Sequence, residues 1–264
     1  MLSGLSGFSG SKQGEMGERM LNAVATQSIR HLFTQCGGLD ISIRCSPPSK
    51  LLQGSIDSFK MYGRDLVIRR QFHTAEMSFE TDTVALDLGA VLGGKIRLKQ
   101  PTQAIAHVVL TQDAINQAFE ADLVKPRLQN LSNPELTQLS GGEPVSFRDV
   151  KITLAPEGQV KIEAMTDLPN RTDVPLRLVA KLEIQKRRRL RFADHHVDLS
   201  DVPADVQTLS GLLSEALVEV LNGMVDLDRF NLDGITLRLN RLETQGERLI
   251  FSGYAQIDHF PNMV

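Results

Sequence analysis

Apolar positions change period several times along the chain, and each change predicts an element. From Glu15 onward Met16, Met20, Leu21 and Val24 recur at helical spacing, and Ile29 and Leu32 extend the run. Gly37-Gly38 is expected to stop this first helix. Residues 1–14, ahead of it, are rich in Gly and Ser and read as a flexible tail. Beyond the helix the period drops to two at Ile41 and Ile43, until Pro47-Pro48 breaks it.

A strand–turn–strand unit is then expected three times. Ser55 to Met61 runs to Gly63 and on to Leu66-Val67-Ile68. Val150 to Leu154 runs to Gly158 and on to Val160-Lys161-Ile162. Ile235 to Leu239 runs to Gly246 and on to Leu249-Ile250-Phe251. Alternating residues, a Gly-containing polar turn and a second apolar segment mark a β-hairpin. Val84, Leu86 and Leu88 repeat as Val174, Leu176 and Leu178 at a constant offset, and a basic strand-like segment follows each, Lys95–Lys99 and Lys186–Arg191.

A helix capped by Thr111 and Asp113 carries Ile115, Phe119 and Leu123 on one face. A third helix after Pro203 carries Val206, Leu209, Leu212, Leu213, Leu217, Val220 and Leu221. The order helix, four strands, helix, four strands, helix, two strands predicts an α+β fold with an antiparallel sheet. It suggests one domain over 15–264 with a weak internal duplication (about 38–135 and 136–230) and a closing hairpin at 232–258.

Composition narrows the chemistry. The chain has 264 residues and a formal net charge of −3, which disfavours a general nucleic-acid binder. It has no Trp, 2 Tyr and 5% aromatic residues, a poor stock for stacking bases or sugars. The first residues lack the charged and apolar regions of a signal peptide, and no stretch reaches the roughly 18 apolar residues of a membrane span. The expected location is therefore cytoplasmic, with Cys36 and Cys45 as free thiols.

No motif points to catalysis. Gly89 to Ile96 approaches GxxxxGK[ST], but Ile96 stands where a hydroxyl is needed and a strand is expected next. Asp194, His196 and Asp198 would share one strand face without a further partner at metal-ligand spacing. Ser6 and Ser9 do not complete G-x-S-x-G, and Asp226 with Asp228 reads as the end of an element. No catalytic residue, metal ligand or cofactor is assigned.

Two features carry binding chemistry. Lys186, Arg187, Arg188, Arg189 and Arg191 read as the solvated turn of a hairpin or as a patch for anionic headgroups, with a nucleic-acid patch third, disfavoured by the acidic net charge and the lack of interleaved aromatics. Val84, Leu86, Leu88, Leu176, Leu178, Leu182 and Ile184, with Leu209, Leu213, Leu217 and Leu221, read either as core or as the lining of an apolar groove for acyl chains.

Several stretches are similar to a known family. Cys45 to Arg70, Leu88-Gly89-Ala90-Val91-Leu92-Gly93-Gly94-Lys95 with Gln100-Pro101-Thr102, and the end from Phe230-Asn231-Leu232-Asp233-Gly234 to Ser252-Gly253-Tyr254-Ala255 resemble the LmeA-like phospholipid-binding family. The resemblance implies a tubular lipid-binding fold like that of bactericidal/permeability-increasing protein, a strongly curved antiparallel sheet wrapped on long helices around a lipid groove. It carries no catalytic set. Exported members of the family bear an N-terminal signal or anchor, from which this chain departs.

These readings converge on a non-enzymatic phospholipid-binding protein that holds or transfers lipid. It is expected to be peripheral at the inner face of the plasma membrane, or at the thylakoid membrane in a photosynthetic host. The expected partners are a phospholipid or other acyl-chain lipid and an anionic membrane surface, without nucleic acid. The alternatives are a protein-interaction module using the same groove and an unrecognised lipid-modifying enzyme.

Overall fold

In the computed structural model, which describes residues 10–93, 97–169, 171–229 and 234–259, the chain opens with helix α1 (Gly10–Arg30). The helix thus starts inside the stretch expected to be a tail. Leu21, Ala25 and Ile29 recur every fourth residue and are buried, whereas Met20 faces solvent. The long strands that follow are β1 (Gln35–Arg44), β3 (Ser58–Ile68), β4 (Phe72–Thr81) and β6 (Thr102–Thr111). Between them lie the short strands β2 (Ser55–Ile56) and β5 (Val84–Ala85), which pair with each other, and the five-residue helix α2 (Leu88–Leu92).

Helices α3 (Gln112–Phe119) and α4 (Pro134–Leu139) lead to β7 (Ser146–Leu154), β8 (Gln159–Leu168), β9 (Arg171–Gln185) and β10 (Arg189–Val197). Helix α5 (Gln207–Met224) and the hairpin of β11 (Ile235–Gln245) and β12 (Arg248–Ile257) complete the order. The fold is α+β and antiparallel. In place of one continuous sheet the described residues form two large open ones, a six-stranded β1-β3-β4-β6-β12-β11 and a four-stranded β10-β9-β8-β7, beside the small β2–β5 pair.

Open sheets leave edge N–H and C=O groups that need partners. Helix side chains supply them here. On α1, Asn22 Oδ1 accepts the Ile43 N–H (2.9 Å) and Glu18 Oε1 accepts that of Cys45 (2.8 Å). On α3, Asn116 Oδ1 accepts the Ile152 N–H (2.8 Å) and Gln112 Oε1 accepts that of Leu154 (2.8 Å). Asn222 of α5 accepts the Phe192 N–H on the far edge strand at 2.7 Å. Each acceptor pair sits four residues apart on one helix face, matched to alternate residues of the edge strand.

Several local expectations give way to stronger terms. Helix α1 ends at Arg30, and Gly37-Gly38 lies inside β1. A Cβ on Gly37 would come within 2.9 Å of Asp65 Cβ, so Gly37 serves close strand approach rather than helix termination. Gly63 makes no turn, because β3 runs through it without a break. The Val84–Leu88 strand shrinks to Val84–Ala85. The Asp87 side chain accepts the N–H groups of Gly89 (3.0 Å) and Ala90 (3.3 Å) and starts α2 instead. Of the expected basic strand Lys95–Lys99, Lys95 and Ile96 lie outside the described residues, and Leu98 makes one bridge to Leu86. The hairpins β7–β8 and β11–β12 form as expected, as does the Thr111 cap, whose hydroxyl accepts the Ala114 N–H at 3.1 Å.

Candidate functional site

The apolar residues singled out in the sequence separate into two packed cores. Leu176, Leu178 and Leu182 of β9 and Leu213, Leu217 and Leu221 of α5 are buried together between the four-stranded sheet and the helix, with Leu209 half-buried against them. Even residues of β9 point at α5, and odd ones such as Lys181 and Glu183 face out. Ile184, at the end of β9, is half-buried. Val84 and Leu86 lie in a second core with Leu21, Ala25 and Ile29 of α1, while Leu88 opens α2 half-buried. These side chains already fill one another's space. Leu212, counted with the α5 stripe, is 51% exposed.

Strand register locates a different apolar surface, on the α1 side of the six-stranded sheet. Met77, Val108, Phe251 and Leu242 stand side by side across β4, β6, β12 and β11. The next row on that face is Phe79, Ala106, Gly253 and Leu239, and the next is Thr81, Ala104, Ala255 and Leu237. Ala104, Ala106, Gly253 and Ala255 form a floor of small buried groups. Met77, Phe79, Val108, Leu237, Leu239 and Phe251 around it are all half-buried. Val108 stands between Met77, which packs on the α1 core, and Phe251, which packs on the α5 core. The face therefore lies where the two cores approach each other, and it keeps large side chains partly in water. Gly253 is required there, since a Cβ would lie 2.0 Å from the Arg238 carbonyl oxygen where β11 bulges between Leu239 and Arg241.

Sequence reasoning missed these residues. The signal that could have found them is the period-two run of small residues in Ala104-Ile105-Ala106 and Gly253-Tyr254-Ala255.

The basic run forms the β9–β10 turn, with Lys186 and Arg187 at positive φ. Much of its charge is answered within the protein. Arg189 Nε donates to buried Asp226 at 2.7 Å, Arg188 pairs with Asp228, and Arg238 reaches Asp228 at 2.7 Å. The Arg187 carbonyl accepts the Leu239 N–H at 2.7 Å. The turn thus fastens the four-stranded sheet to β11. Burial pushes the Asp226 carboxyl up, but the Arg189 and Asp228 hydrogen bonds and the Arg188 and Arg189 charges outweigh it and leave it below the usual range. Hydrogen bonds from Arg188 and Arg238 lower Asp228 likewise. Lys186, Arg187 and Arg191 are exposed.

Of the other motifs, His195 Nε2 meets Glu215 Oε2 at 2.5 Å, and Asp198 accepts from Ser200. Among the described residues no group of three or more His, Cys, Asp or Glu is placed to hold a metal. The GxxxxGK-like segment runs through α2 into residues outside the description. Cys36 and Cys45 are free thiols, and burial, followed by the charge of Asp57, pushes the Cys45 thiol up. No described helix is long and apolar enough to cross a membrane.

An α+β chain with two open antiparallel sheets and a broad, half-exposed apolar face between its cores has the chemistry of an apolar-ligand binder. A family model described as LmeA-like phospholipid-binding matches residues 13–253, and the chain belongs to that family. No curated protein and no solved structure matches the chain.

Proposed function

We propose that the protein holds or transfers phospholipid at an anionic membrane surface without catalysing a reaction, and that acyl chains lie on the face built by Met77, Phe79, Val108, Leu237, Leu239 and Phe251. The observation that carries this reading is the half-burial of six large apolar side chains around a floor of Ala and Gly, in a chain of the phospholipid-binding family. Met77, Leu237 and Leu239, standing over small residues, can part and repack around a polymethylene chain at little cost, whereas the filled interface under α5 cannot. Covering such a face with lipid removes apolar area worth about 25 cal/mol per Å² from contact with water.

The test is native mass spectrometry of gently purified protein with identification of extracted lipid, followed by uptake of labelled phospholipid. Co-purified phospholipid, or saturable uptake, supports the proposal. Protein that carries no lipid and takes up none would return the apolar face to a protein-interaction role.

A further inference from the structure

The outer face of the six-stranded sheet, opposite the proposed lipid face, carries an unusual set of side chains. Tyr62 and Tyr254 are the 2 tyrosines of the whole chain, and strand parity puts both on this face. Each is open to solvent, at 38% and 44%, and the directly paired neighbour of Tyr254 is Ile105 at 60%. An arginine lies over each ring, Arg64 at 5.9 Å from the Tyr62 centroid and Arg187 at 5.8 Å from that of Tyr254. Helix α3 packs against β4 and β6, and Thr74 and Val109, neighbours of this face near its start, are buried.

Charge on this face runs against that of the chain. Arg44, Lys60, Arg64, Arg241 and Arg248 project here with Asp40, Glu76, Glu80 and Glu243, and Arg187 joins them from the β9–β10 turn. Lys60 pairs with Glu80, Arg241 with Glu243 and Arg248 with Glu76 (3.3 Å), and Arg238 on the same face turns to Asp228. Beyond these pairs Arg44, Arg64 and Arg187 stand against Asp40, so cations are in modest excess here although the chain carries −3 overall. Tyr62 and Tyr254 are three strand spacings apart, about 14 Å across the sheet, and two residues apart along it, so the anchors are spread over a sheet rather than gathered in one pocket. A concentrated aromatic–arginine cluster would fit a protein hot spot. Dispersed amphipathic rings, one aliphatic anchor and surplus arginine fit a headgroup layer, where tyrosine lies at the boundary and each cation gains on the order of 1 kcal/mol.

From this placement we infer that the outer face of the six-stranded sheet is the surface that docks on an anionic bilayer, with Ile105 and Tyr254 entering the headgroup region and Arg64 and Arg187 contacting phosphates. The inference rests on the phospholipid reading above and names the membrane-facing side of the protein. It also gives Arg187 a role distinct from that of Arg188 and Arg189, whose charges Asp226 and Asp228 answer.

The experiment compares wild type, Ile105→Ser/Tyr254→Ser and Arg64→Gln/Arg187→Gln. Co-sedimentation uses vesicles of phosphatidylcholine with about a quarter phosphatidylglycerol, and vesicles of phosphatidylcholine alone. In parallel, each protein binds a dispersed short-chain fluorescent phosphatidylcholine, which needs no bilayer. The Ser variant is expected to lose about tenfold in affinity for the anionic vesicles while keeping its melting temperature and short-chain lipid binding. The Gln variant is expected to lose its preference for anionic over neutral vesicles. Vesicle binding unchanged in both variants overturns the inference. Wild-type protein that binds the short-chain lipid but ignores vesicles also overturns it and leaves the face to a protein partner. Wild-type protein that binds vesicles but no short-chain lipid, with vesicle binding lost in the variants, supports docking while removing the lipid-holding reading.

Discussion

Asn116 and Ile152 exchange two hydrogen bonds, the side-chain amide donating to the Ile152 carbonyl at 3.1 Å and accepting its N–H at 2.8 Å. One asparagine thereby does for edge strand β7 what a neighbouring strand would do. With Gln112 one turn earlier, α3 is fixed to the four-stranded sheet by geometry and not only by the apolar contacts of Ile115 and Phe119. Substitution Asn116→Leu keeps the branched shape but strands both backbone groups of Ile152. It should lower unfolding stability by about 1–3 kcal/mol in denaturant titration.

Substitutions in α5 and on the sheet face should part into two kinds. Leu217→Ala opens a cavity in a site with no exposed area and should cost about 2–5 kcal/mol, read from the unfolding midpoint. Val108→Gln or Leu239→Gln, at half-buried positions, should cost less than about 1 kcal/mol yet reduce phospholipid uptake. Equal uptake by these Gln variants and wild type would move the lipid away from this face.

The ionic fastening of the β9–β10 turn gives a pH dependence with a definite sign. Asp226 and Asp228 titrate below the unfolded aspartate value of about 3.9, so their stabilisation is complete above that pH and is lost as pH falls through their folded values. Unfolding titrations should show stability dropping below about pH 4. The variant Asp226→Asn/Asp228→Asn should be less stable at neutral pH and should show a shallower acid slope.

Gly253→Ala should destabilise by about 1–3 kcal/mol, because the added methyl meets the Arg238 backbone where the partner strand bulges, and backbone cannot swing aside as a side chain can. A lowered melting temperature checks it.

Period and turn chemistry made the outline of the fold legible. The α5 stripe, the Thr111 cap and the hairpins at Gly158 and Gly246 were written locally, and local forces formed them. What escaped was decided across distance. Gly63 resembles a turn until β1 and β4 pair on either side of it, and β6 is easily missed because alanine has little strand preference of its own. The constant offset aligned Val84–Leu88 with Val174–Leu178, yet the first is a two-residue strand and the second lies in the longest strand. The likeness present in the structure is between α1 lying on β1 and α3 lying on β7, carried by Glu18 and Asn22 in one case and Gln112 and Asn116 in the other. For the site, strong leucine patterns marked the filled interiors. The half-exposed face needed four strands, β4, β6 and the β11–β12 hairpin, to come into register from distant parts of the chain, and only its run of small residues was local.

The partly wetted state of Met77, Phe79, Val108, Leu237, Leu239 and Phe251 has a calorimetric consequence. Water around these side chains contributes to the heat capacity of the free protein, and an occupant that lies on them releases it. Phospholipid binding measured at several temperatures should therefore show a negative heat-capacity change, with an enthalpy that grows more favourable on warming while the affinity shifts little. Val108→Gln should make that slope shallower, because a polar side chain takes the place of apolar surface that the lipid would otherwise dry.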